Sequence, residues 1–71
     1  MTLKQIDHIS SRLLSVAHNG NREAGRRYGE LAIVRAAYDK HPNPENWHYL
    51  AYEAEGILVF LFNHPENPEP S

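Results

Sequence analysis

Five histidines and nine carboxylates in 71 residues are the side chains of this sequence with the most chemistry to offer, and metal binding is the first chemistry they suggest. Glu45-Asn46-Trp47-His48 has the Glu-x-x-His spacing with which carboxylate-bridged di-metal bundles set two ligands on one side of a helix. Those centres also draw inward-facing glutamates from other helices, and Glu30 is the acid this chain could offer at mid-helix. His41 and His64 stand at the two ends of one helical segment, about 28 Å apart at 1.5 Å per residue, too far for one ion. No metal site and no cofactor is expected. The chain has no cysteine, which removes disulfides, zinc-thiolate centres and thiol catalysis together. Asp7, His8, Ser10 and Ser11 are neighbours in sequence but diverge around a helix, whereas a catalytic triad needs its members to converge. Gly20-Asn21-Arg22-Glu23-Ala24-Gly25 lacks the lysine and hydroxyl of a phosphate loop. No residue is assigned a catalytic role, and the chain is read as a non-enzyme.

Charge is the next candidate. The net of −2 hides a lopsided arrangement. Residues 1–40 hold all seven Lys and Arg against four acids, for +3; residues 41–71 hold five glutamates and no Lys or Arg, for −5. Attraction between the halves, within or between subunits, accounts for this without a further ligand. Arg22, Arg26 and Arg27 also cluster after a glycine turn, where the second helix of a helix–turn–helix would begin. Placing Gly20 at the turn puts Arg26 and Gly29 where such a helix needs apolar core contacts. Nucleic-acid binding through Arg22, Arg26 and Arg27 is therefore the alternative reading.

The elements that would carry these residues are three helices. The first runs from about residue 3 to 17: Thr2 and Gln5 have capping-box spacing, and Leu3, Ile6, Ile9, Ser10, Leu13, Leu14, Val16 and Ala17 share one face. Gly20 suits a left-handed stop, and Asn21 an N-cap. The second spans about 22 to 40. Gly25, Gly29, Ala32 and Ala36 stack along one side of it, spaced for close helix packing, and Ala24, Leu31, Val34 and Tyr38 lie on another, so it is expected to be a central layer. Arg27 and Arg35 interrupt that second side with stems long enough to cover apolar neighbours. His41-Pro42 ends it, and Asn43-Pro44 reads as an N-cap with proline at the first helical position.

The third helix, about 44 to 62, is apolar on two sides. Trp47, Leu50, Ala51, Ala54, Ile57, Leu58 and Leu61 occupy one arc; Tyr49, Tyr52, Gly56, Val59 and Phe60 lie behind it. A chain this short has no further element to cover both arcs. The second arc is therefore expected to be an interface, with Tyr49, Tyr52 and Phe60 as anchors and Gly56 permitting close approach. Val34, Ala37, Pro42, Trp47, Leu50 and Ala51 are similar to part of a tetratricopeptide repeat over about a quarter of the chain. The proline-to-tryptophan interval is one residue short and Ala54 stands in place of tyrosine, so membership is not assigned.

The expectation is an all-α domain over residues 1–63 with a flexible Pro/Glu tail over 64–71. It is read as a cytoplasmic regulatory or adaptor protein, a homodimer or bound to a protein partner. No signal peptide or membrane segment is expected: the longest apolar run, residues 56–62, is far below the ~20 residues that span a bilayer.

Overall fold

The computed structural model describes residues 1–63, and the expected tail lies outside them. Three helices follow one another: α1 (Leu3–His18), α2 (Arg22–Lys40) and α3 (Pro44–Asn63). No strand occurs among the described residues, and no helix of theirs is long and apolar enough to cross a membrane.

Each helix starts where a side chain satisfies its free backbone N–H groups. The Gln5 N–H donates to Thr2 Oγ1 at 3.2 Å, and the Thr2 N–H to Gln5 Oε1 at 2.7 Å, a reciprocal capping box. Asn21 Oδ1 accepts from the Ala24 N–H at 3.0 Å, and Asn43 Oδ1 from the Asn46 N–H at 2.8 Å. Between α1 and α2 the chain reverses at Gly20, whose φ of 99° is the left-handed conformation that favours glycine. The second reversal has a device the spacing did not announce. Asn46, in the first turn of α3, donates through Nδ2 to the carbonyl of His41 at 2.8 Å and of Ala37 at 3.3 Å. It thereby caps the end of α2 from the start of α3, and Tyr38 stacks at a tilt on Trp47 with ring centroids 5.5 Å apart beside it.

Asp7 meets Arg35, Tyr38 meets Trp47 and Arg27 meets Phe60, so α2 runs back along α1 and α3 runs back along α2. Every pair of helices is in contact. The core is Ile6, Ile9, Leu13 and Val16 from α1, Ala24 and Leu31 from α2, and Leu50, Ala54, Ile57, Phe60 and Leu61 from α3. Tyr28, Val34, Tyr38 and Trp47 pack against its edge.

The three helices form a closed bundle, which corrects the expectation that α2 is a middle layer with two packed sides. Gly25, Gly29, Ala32 and Ala36 are all exposed, Ala32 and Ala36 at the edge of the cleft against α1, and a Cβ added at Gly25 or Gly29 would meet no described residue within 4 Å. Among the described residues no helix packs closely on that stripe. The reason lies in what each side can bury. A Leu or Ile gains roughly 1.5–3 kcal/mol on leaving water, and a glycine has no side chain to contribute. Turning Leu31, Val34 and Tyr38 inward, and letting α3 close over α1 as well, removes more apolar surface than sandwiching the small stripe would.

Leu31→Ala is expected to lower stability by about 2–5 kcal/mol in urea unfolding. Gly29→Ala should raise it by up to about 1 kcal/mol, since the added methyl meets nothing and the helix gains propensity. A loss at Gly29→Ala would mean that the stripe is packed against something in solution.

Candidate interaction surface on α3

The core side of α3 is set by Leu50, Ala54, Ile57 and Leu61, recurring every three or four residues. That rotation leaves Tyr49 54% exposed, Tyr52 72% and Val59 63%, aligned along the opposite side with Gly56 among them. No described residue lies within 4 Å of a Cβ added at Gly56. Tyr52, Gly56 and Val59 line an open groove whose rim is Arg27 from α2 together with Glu53 and Glu55. The groove is apolar along its length and charged along its edges.

One expected anchor is not on this surface. Phe60 is only 7% exposed and belongs to the core. It sits at the margin between the two arcs, where its ring reaches inward beneath Arg27; the guanidinium carbon is 4.9 Å from the ring centroid. Desolvating the ring and giving the Arg27 cation a π face decide its direction. The reverse holds for two other residues. Leu58, expected inside, is partly exposed, and Phe62, singled out for nothing, is 85% exposed beside Arg12, Leu58 and Leu61. The i,i+4 spacing of Leu58 and Phe62 could have shown that they share one flank of α3.

The arginines considered for nucleic acid are placed at the outer end of α2 and largely engaged. Arg26 donates to Glu30 at 2.9 Å and also to Glu23. Arg27 donates to Glu23 at 2.9 Å, while Arg22 is exposed. The hydrogen bond from Arg26, ahead of burial and the other charges, holds the Glu23 carboxyl below the ordinary glutamate range, and the same bond raises Arg26. Arg35 bonds to Asp7 of α1 at 3.1 Å and to Asp39; the Asp7 bond is the largest cause of its raised pKa.

Among the described residues no three His, Asp or Glu side chains gather as metal ligands would. Glu45 and His48 are both exposed, and His48 meets the neighbouring Tyr49 at a ring distance of 6.1 Å. Asp7 and Ser10 line the same cleft between α1 and α2 beside Tyr28, where Asp7 accepts from Arg35, while His8 and Ser11 are exposed.

No family model matches the chain, and neither a curated protein nor a solved structure matches it. The functional reading rests on the surface itself.

Phe60→Glu would force a carboxylate into the core and should destabilise the chain by several kcal/mol. Tyr52→Glu, on the exposed side, should stay within about 0.5 kcal/mol of the native chain. Thermal melts of both variants compare them directly. The lowered Glu23 pKa predicts an acid dependence. The ionised form is favoured on folding, so its contribution is present above the ordinary glutamate range and is lost as pH falls through the lowered value. In open solvent this contribution is small. Glu23→Gln should flatten that part of the melting-temperature profile against pH, and an unchanged acid limb would contradict the assignment.

Proposed function

We propose that this chain is a small non-enzymatic adaptor or regulatory protein that works by protein–protein association, with the outer side of α3 as its docking surface. The observation that carries the reading is the aligned, uncovered set of Tyr49, Tyr52 and Val59 around Gly56 on a helix whose other side is already in the core. Tyrosines supply large contact area with few rotatable bonds, and they are enriched among the residues that dominate interface energies. Gly56 allows a partner backbone to come close. Size points the same way: a small domain without disulfides has a marginal core, and a second subunit is one of the supports left to it. Lack of cysteine also fits a reducing compartment such as the cytoplasm.

Nucleic acid remains the lesser reading. A phosphate backbone would have to displace Glu23 and Glu30 from Arg26 and Arg27, and the glutamates of α3 would repel it.

Self-association should appear in light scattering as a mass near twice the 8.2 kDa of the chain, or above it. A folded double variant Tyr52→Glu, Val59→Glu should return to the single mass and lose any captured protein partner. If the native chain stays at the single mass at every concentration, and the double variant captures the same proteins as the native chain, the α3 surface is not the docking site.

A further inference from the structure

The docking role just proposed for α3 leaves the chemistry of its partner open, and the carboxylates of the chain narrow it. Asp7 and Asp39 accept from Arg35, Glu23 from Arg26 and Arg27, and Glu30 from Arg26, so each acid of α1 and α2 is matched by an arginine of the same chain. Glu45, Glu53 and Glu55 of α3 differ. None of them forms an ion pair with a described residue, and α3 has no Lys or Arg of its own. Glu55 shares a cleft with Lys4 and His8 of α1 without pairing to either. The unmatched acids of the described residues therefore stand on the helix that carries the uncovered tyrosines.

Their placement follows the apolar strip. At 3.6 residues per turn, Glu53 and Glu55 stand about 160° apart around α3, and the arc between them on the outer side holds Tyr49, Tyr52, Gly56 and Val59. Glu55 marks the edge toward α1, and half-buried Glu53 the edge toward α2; both line the groove. Glu45 lies in the same arc at its N-terminal end. Arg27, the cation on the rim, is already held by Glu23 and lies over Phe60. The strip is thus bounded by carboxylates on both edges and at its foot.

A partner that covers the strip also takes water from those edges. An apolar partner would desolvate Glu53 and Glu55 with nothing in exchange, and an acidic one would add repulsion. A second copy of α3 would bring three more glutamates and no Lys or Arg. A helix whose apolar stripe is flanked by Lys or Arg meets both needs, since the stripe covers the tyrosines while long cationic stems reach the carboxylates. We infer that the α3 surface takes a basic amphipathic helix of another protein. Tyr49 to Val59 span about 15 Å at 1.5 Å per residue, which sets its contact at about three turns. Its apolar residues lie over Tyr52, Gly56 and Val59, and its cations meet Glu53 on one edge and Glu55 on the other. Pairs at such open edges are screened by salt, so binding weakens as salt rises.

Two labelled synthetic helices of about 18 residues test it, with the same leucine stripe flanked by lysine in one and by glutamate in the other. Fluorescence anisotropy follows their binding to the native chain and to two double variants, Glu53→Gln, Glu55→Gln and Tyr52→Ala, Val59→Ala. None of these positions is in the core, so both variants should keep native helicity, which circular dichroism checks. The lysine helix should bind at least about tenfold more tightly than its glutamate twin, and the glutamine variant should weaken it roughly 3- to 30-fold. If the two helices bind alike, or the glutamine variant binds the lysine helix as the native chain does, the acidic edges do not select. This inference is then overturned, while a loss with the alanine variant keeps the docking role of α3. An alanine variant that binds unchanged means that the α3 surface itself has failed. If the native chain self-associates through Tyr52 and Val59 and the lysine helix does not dissociate it, a second copy is the occupant and the inference is overturned. No binding of the lysine helix at low salt overturns it as well.

Discussion

Helix α2 has little apolar bulk to give, and the bundle is arranged around that shortage. Only Ala24 and Leu31 of its nineteen residues are buried. Tyr28, Val34 and Tyr38 add partly buried area, and two arginines complete the inward side. Arg35 reaches α1 through Asp7, and Arg27 reaches α3 by lying over Phe60. Neither contact is large. Exposed ion pairs contribute about 0–1 kcal/mol, and a cation over an aromatic ring about 0.5–1 kcal/mol or somewhat more when desolvated. Burying Leu31 alone outweighs either one. The apolar residues therefore decide which side of α2 faces in. The arginines fix its rotation against its two neighbours, one contact to each, within that choice.

The rotation of α2 determines what is left for α3. With α2 supplying so few large side chains, the core needs Leu50, Ile57, Phe60 and Leu61 together, and α3 must turn that arc toward α1 and α2 at once. The aromatic arc behind it then meets no other element among the described residues. The same choice puts the small stripe of α2 outside. Both uncovered surfaces thus follow from one cause, the distribution of bulk along α2, rather than from two separate features of the sequence.

The helix ends were legible to within a residue because they are local: Thr2 with Gln5, Gly20 with Asn21, and Asn43 with Pro44 act over a single turn. The inward sides of α1 and α3 were legible from their period. The rotation of α2 was not, since period locates a stripe of small residues without saying whether it meets another helix or water. Its size contrast with Leu31, Val34 and Tyr38 held the answer, but only once the burial of the two sides is compared. Phe60 was misplaced because it lies at the boundary of two arcs, where a shift of a few tens of degrees reverses the outcome and a distant residue, Arg27, settles it. The cap from Asn46 to His41 and Ala37 left no periodic trace, as it joins two helices across a turn.

Stability by itself does not account for the two glycines of the outward stripe. Each costs an interior helix position about 1 kcal/mol relative to alanine, and in this structure an alanine would fit at both without a neighbour to disturb. A domain this small has little stability to spare, so bare backbone there is more costly than it would be in a large protein. A helix exposed to water all along that side has no use for it.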